Sequence, residues 1–332
     1  MKKWIDNSQI STYERCPREW YLRYHLGLKK PTYKGLVAQE FGKAFHRAIE
    51  LFFKSHSVEE CIEIAVSEFQ ETLNDLSVKN PTEEFLQELY EDPRADVDLL
   101  SRTIGYFLTE GVGKQIKDMT LKAHPEVLLS VYDPRTQFHL IGRIDLIIET
   151  FGESKLMVDI KTTRYSIQQN WTVKAQTDTQ LSTYVLLAYP KFGFINAVSY
   201  AVLRVDRRKL KSGVWSPKIT LESDFFPVAI TRTEIQKALF RFRMVASEIN
   251  SKDLDDPMNF PCRFTSCQRF NSACQFHPLC QITWNSRDKQ EIQETAQRLE
   301  LIIEQWSPAQ EDELHQCLEN SIDITRFEEE IT

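Results

Sequence analysis

Hydrophobic residues recur along this chain with two different periods, and the change between them divides it. Up to about residue 120 the apolar positions follow the three- and four-residue spacing of amphipathic helices, strongest from Leu36 to Lys54. This spacing predicts helices near 8–26, 36–55, 58–77 and 83–119. Pro17, directly after Cys16, is expected to break the first of them and leave the cysteine outside regular packing. Beyond residue 120 the runs shorten and become β-prone: Leu140-Ile141, Ile144, Leu146-Ile147-Ile148 and Leu156-Met157-Val158, bounded by Gly142 and a turn at Phe151-Gly-Glu-Ser. They predict strands near 125–132, 137–150 and 154–161, the last two a hairpin. A helix near 174–189, strands near 196–206 and 214–226, and a helix near 231–251 follow. A cysteine-rich loop then leads to helices near 286–305 and 308–319. The outline is α+β, an αβββαβ core wrapped by helices.

Length and composition agree with a substantial core: 332 residues, 42% hydrophobic. The N-terminal residues lack the apolar stretch of a secretory leader and no apolar run reaches membrane length, so a reducing, cytoplasmic setting is expected. The net charge of −7 is awkward for a phosphate-binding surface, which must be locally positive. Two basic clusters could supply it: Arg204, Arg207, Arg208, Lys209 and Lys211, and Arg15, Arg18, Arg23, Lys29 and Lys30. The acidic residues of 83–98 and of the C-terminal stretch are expected to face away from nucleic acid. Most aromatic residues read as core, with Tyr13 and Tyr184 the candidates for contact with bases.

The chemistry concentrates between Gly142 and Lys161. Asp159 and Lys161 lie two apart on a strand, so both project from one face while Ile160 turns into the core. Asp145 stands in an otherwise apolar strand, where an unpaired carboxylate costs several kcal/mol or keeps its proton. A bound cation would relieve both. Two carboxylates and a lysine on adjacent strands suit a divalent metal held beside a phosphodiester, with a water activated for attack on phosphorus.

These residues, with others in the same order, resemble the RecB-like branch of the PD-(D/E)xK nuclease superfamily. Gly42-Lys-Ala-Phe-His46 is similar to that family's glycine and histidine motif, Gly142-Arg-Ile-Asp145 to its GxxD strand, Asp159-Ile-Lys161 to its catalytic strand, and Gln180-Leu-Ser-Thr-Tyr184 to its QxxxY helix. The resemblance implies a restriction-endonuclease-like fold in which Asp145, Asp159, His46 and the carbonyl of Ile160 hold Mg²⁺ or Mn²⁺. Glu126 is a further acidic candidate. Lys161 would position the water, and Gln180 and Tyr184 would reach the nucleic acid or the lysine. Asp159 stands where glutamate is commoner.

Four of the seven cysteines lie between Cys262 and Cys280, and Cys16 lies near the N-terminus. In a reducing compartment such clustering favours metal ligation over disulfides. The spacing Cys267-x6-Cys274-x5-Cys280 lacks the paired CxxC of most zinc ribbons. One cysteine before the core and three after it resemble the iron–sulfur subgroup of RecB-like nucleases that includes AddB and the CRISPR-associated exonucleases. That resemblance implies a 4Fe-4S cluster on Cys16, Cys267, Cys274 and Cys280, with Cys262 a spare, acting as a staple. The expectation is a single nuclease domain over 1–332: a helical part (1–120), the nuclease core (121–250), the cysteine loop (251–285) and a helical acidic tail (286–332). Its expected activity is metal-dependent exonucleolytic hydrolysis of DNA at single-stranded ends, in repair, recombination or phage or CRISPR DNA processing. No nucleotide-binding P-loop is present, so unwinding would fall to a helicase partner. The alternative is a non-catalytic nucleic-acid-binding or assembly subunit.

Overall fold

The computed structural model describes residues 3–30, 36–79, 82–167, 171, 173, 178–269 and 272–331. Strand β1 (Lys3–Asp6) leads into α1 (Asn7–Arg15), α2 (Pro17–Trp20) and a π-helical turn; after β2 (Leu28–Lys29) come α3 (Leu36–Phe53), α4 (Val58–Lys79), α5 (Glu83–Glu91), α6 (Val97–Thr109) and α7 (Val112–Met119). The central run is β3 (Thr120–Asp133), β4 (Phe138–Thr150), β5 (Lys155–Thr163), α8 (Gln180–Phe192), β6 (Ala197–Lys209), β7 (Trp215–Val228) and α9 (Arg232–Asn250). Then follow β8 (Gln268–Arg269), β9 (Ser272–Ala273), α10 (His277–Thr283), α11 (Lys289–Arg298), β10 (Ile302–Ile303), α12 (Glu311–Glu319), β11 (Ile322–Asp323) and α13 (Glu328–Ile331).

Among the described residues, seven strands form one mixed sheet in the order β11-β3-β4-β5-β6-β7, with β1 also against β4. Helices cover both faces. One core joins α1, α8 and α9 through Ile10, Leu181, Leu186 and Phe242; the other joins α3, α4 and α6 through Phe45, Phe69 and Phe107. This is the mixed α+β architecture expected, with strands β3 to β5 antiparallel and β5 parallel to β6.

The feature that matters most for function is a gap. Strand β3 lines one edge of β4 along its length, whereas the other edge is shared: β1 pairs with Phe138–Ile141 and β5 begins only at Leu146. Residues 142–145 therefore face no strand on that edge. The alternation of side chains also breaks here. Ile144 and Leu146 would share a face of a regular strand, yet they pack into different cores, so the strand turns over at Asp145.

The break expected at Pro17 is present, Cys16 being extended (φ −156°, ψ 105°) between α1 and α2. Other elements differ from their expected form. The 83–119 run is three helices, because Asp92 precedes Pro93 in extended conformation and Gly111 caps α7. The 286–305 helix ends at Arg298; Glu300 is left-handed (φ 59°) and Ile302–Ile303 pair with β2 instead. Of the expected 174–189 helix, residues 174–177 lie outside the described residues. Tyr13 is no base-stacking residue: it is 1% exposed, edge-on to Trp20, and its hydroxyl accepts from Lys252 Nζ at 2.6 Å. The C-terminal stretch is also part of the packed fold: Ile324, Phe327 and Ile331 are buried in the first core and Glu313 pairs with Arg143 at 2.7 Å.

Candidate metal centre

Asp145 sits in the gap along β4. Its Oδ2 accepts the backbone N–H of Ile160 at 2.6 Å, taking up a donor that lies beyond the Leu146–Val158 pair where the ladder stops. Its Oδ1 lies 3.8 Å from Nδ1 of His46, on α3. The same nitrogen is 3.2 Å from Oε1 of Glu126, on β3. Candidate ligand atoms of His46, Glu126 and Asp145 thus fall within 4.8 Å of one another, the one such group of His, Cys, Asp and Glu among the described residues. Three elements meet here.

Glu126 reaches this position by an unfavourable route. Its φ is 48°, in the left-handed region that a side chain with a Cβ rarely occupies. A strained residue in mid-strand, opposite the point where β4 turns over, places its carboxylate against His46. Such strain persists only where surrounding structure enforces it. No sequence feature announces it, because Glu is not a residue that favours this conformation.

Asp159 and Lys161 share a face of β5, Nζ standing 2.8 Å from Oδ2, while Ile160 is buried in the second core. Although the two are in ion-pair range, the alignment is not that of a hydrogen bond, and both oxygens of fully buried Asp159 lack a hydrogen-bond partner. Burial, reinforced by the charge of Asp145, pushes the Asp159 carboxyl up to about 7. Burial draws His46 down, but Asp145 and Glu126 outweigh it and push the imidazole up to about 9. Burial likewise opposes the charge on Lys161, but Asp159 and Asp145 hold its pKa above the ordinary lysine value. Three carboxylates, those of Glu126, Asp145 and Asp159, face one imidazole and the Lys161 ammonium, which leaves the centre short of positive charge. Its oxygen-rich donor set with one imidazole suits Mg²⁺ and accommodates Mn²⁺.

Helix α8 covers the gap. Gln180 Nε2 donates to Tyr184 Oη at 2.7 Å, and burial together with the charges of Asp159 and Asp145 raises the Tyr184 pKa. Gly142 lies beneath the Tyr184 ring. The basic residues of β6 are less available. Arg204 binds Glu222 and Asp206, Arg207 binds Asp96, and Lys209 is 3.6 Å from Glu91, while Arg208 is exposed.

Separately from this centre, Cys16, Cys262, Cys267, Cys274 and Cys280 line one small pocket. Polar bonds across the length of the chain draw them together: Arg263 N–H to Cys16 Sγ at 3.5 Å, Ser266 Oγ to Arg15 O at 3.0 Å, and buried Arg18 to the carbonyls of Pro257 and Thr283 at 2.8 and 3.0 Å. The hydrogen bond with Cys280 lowers the Cys262 thiol to about 7.

No curated protein matches the chain. Among solved structures, SSO0001 is similar at 13% identity, with 64% of this chain and 88% of that one covered and a TM-score of 0.25. A candidate exonuclease from Eubacterium rectale is similar at 10% identity, with 76% and 84% covered and a TM-score of 0.37. No helix among the described residues is long and apolar enough to cross a membrane. The model of the PD-(D/E)XK nuclease superfamily matches residues 7–281, a span that holds the acidic centre, the glutamine–tyrosine helix and the five clustered cysteines. Its match over most of the chain makes this protein a member of the PD-(D/E)XK nuclease superfamily.

Proposed function

We propose that the protein is a divalent-metal-dependent DNA exonuclease of the RecB-like, iron–sulfur kind, acting on single-stranded ends as one nuclease domain over 1–332. The observation that carries the nuclease reading is the convergence of His46, Glu126 and Asp145 beside the buried Asp159–Lys161 pair. Asp145, Asp159, Glu126 and His46 hold Mg²⁺ or Mn²⁺, and Ile160 adds its carbonyl. A strand residue directs its N–H and C=O to the same side, and the N–H of Ile160 faces Asp145. When bound, the metal supplies Lewis-acid polarisation of the phosphoryl oxygen and lowers the pKa of a coordinated water.

The chain's own residues do the rest. Lys161, held cationic by its acidic neighbours, donates to the attacking water or to a non-bridging oxygen and so orients an in-line approach. Gln180 and Tyr184, hydrogen-bonded as a pair, flank the scissile phosphate from α8. Cys16, Cys267, Cys274 and Cys280 hold a 4Fe-4S cluster, with Cys262 spare. Supporting this, all of these cysteines line one pocket, and their spacing lacks the paired CxxC of most zinc sites. The cluster is a staple joining the two ends of the chain. Any duplex unwinding falls to a helicase or recombination partner.

Degradation of end-labelled single- and double-stranded DNA with Mg²⁺ or Mn²⁺, wild type against Asp159→Ala on matched cluster-loaded protein, tests this. Metal-dependent shortening from an end, lost in the variant, is expected. Absence of cleavage by loaded wild type would leave a binding or assembly role.

A further inference from the structure

Two of the elements that carry the metal centre also border a groove that the nuclease motifs do not include. A cavity of about 840 Å³ lies between the start of α3 and the end of β5, lined among others by Gln39, Arg94, Thr163, Arg164, Tyr165 and Trp215. Both elements also carry the centre. Thr163 is about 7 Å along β5 from Lys161 at strand rise, and Gln39 is about 10 Å along α3 from His46 at helix rise. The groove therefore starts one or two nucleotides from the scissile phosphate.

Its walls present aromatic faces backed by cations. Tyr165 is 59% exposed, with the Arg164 guanidinium 5.2 Å from its ring centroid; across the groove Lys209 Nζ lies 5.6 Å from the ring of Trp215. The wall carboxylates are already matched by cations, Asp92 by Arg94, Asp206 by Arg204 and Glu91 by Lys209. The groove is accordingly close to neutral, and its affinity must come from stacking more than from phosphate attraction. Such a surface suits unstacked bases. A duplex, whose bases already stack on one another, gains nothing from it.

We infer that this groove is the path of a single-stranded polynucleotide and that Tyr165 and Trp215 are its stacking platforms. Building on the nuclease reading, the groove makes single-stranded substrate a property of residues outside the catalytic centre. Tyr165 lies on the surface, so its replacement leaves folding intact.

The test uses wild type, Tyr165→Ala, Tyr165→Trp and Trp215→Ala, each checked for an unchanged melting transition. Oligodeoxynucleotides carrying 2-aminopurine two or three positions from one end report stacking by fluorescence quenching without added metal, and need no catalysis. The expected result is loss of quenching and about a ten-fold rise in KM for single-stranded DNA in the alanine variants. Tyr165→Trp should restore both, and hydrolysis of bis(p-nitrophenyl) phosphate should stay at the wild-type rate. Unchanged quenching and KM in both alanine variants would overturn the path. If wild type hydrolysed neither DNA nor the small diester, the nuclease reading would fall, and quenching alone would decide the groove.

Discussion

The ring of Tyr184 closes over the backbone of Gly142: a β-carbon at residue 142 would stand 3.0 Å from Cε1 of the tyrosine and 2.8 Å from Cδ1 of Leu187. The glycine that opens the Gly142–Asp145 segment is thus explained by close approach of α8. Replacing it by alanine forces Tyr184 and Leu187 to retreat, and Gln180 moves with its hydrogen-bond partner. Gly142→Ala should cost about 1–2 kcal/mol in urea unfolding and lower kcat for DNA more than it raises KM. Full activity in a destabilised variant would show that the Tyr184 position does not matter.

Glu126 offers a test that separates strain from ligation. At φ 48° a glycine relieves backbone strain that an alanine retains, so Glu126→Gly should be about 1 kcal/mol more stable than Glu126→Ala. Both should lose affinity for Mn²⁺ in calorimetric titration, because both lack the carboxylate beside His46. Equal Mn²⁺ affinity in wild type and variants would remove Glu126 from the ligand set.

Asp6 caps α1 by accepting from Gln9 N–H at 2.7 Å, but burial outweighs that bond and raises its pKa from 3.8 to about 6. The folded state therefore binds the proton more tightly than the unfolded chain does. The resulting stability is complete below the unfolded pKa and is lost as pH rises through about 6. Asparagine caps equally well without a charge to bury. Asp6→Asn should flatten this part of the stability profile and gain on the order of 1 kcal/mol at pH 7.5. An unaltered slope in urea melts between pH 4 and 7 would refute this.

The cysteine pocket separates ligand from bystander by composition. Cys267→Ser, purified anaerobically, should lose iron and acid-labile sulfide together with visible absorbance, whereas Cys262→Ser should keep them. Limited proteolysis should then cut faster between the N-terminal helices and the cysteine loop of the cluster-free protein, since that junction would be left to packing and to hydrogen bonds such as those from Arg18 to Pro257 and Thr283 and from Ser266 to Arg15. Zinc without iron in wild type would discard the cluster.

Local pattern carried most of what could be read beforehand. Period-two and helical spacing located β4, β5 and α8, and with them the shared face of Asp159 and Lys161, because side-chain direction within one element follows from its own periodicity. The nuclease superfamily was likewise legible in the order of short motifs. What pairs with what was not. That β1 and β5 share one edge of β4 and leave Asp145 uncovered depends on contacts more than 130 residues apart in sequence, and β11 joins β3 across nearly 200. The left-handed Glu126, the reversal of β4 at Asp145 and the burial of Tyr13 belong to the same class. Each is enforced by packing between distant segments, which overrides the local preference of the residue that bears it. The sequence by itself determined which side chains could do the chemistry; only the tertiary structure decided which of them meet.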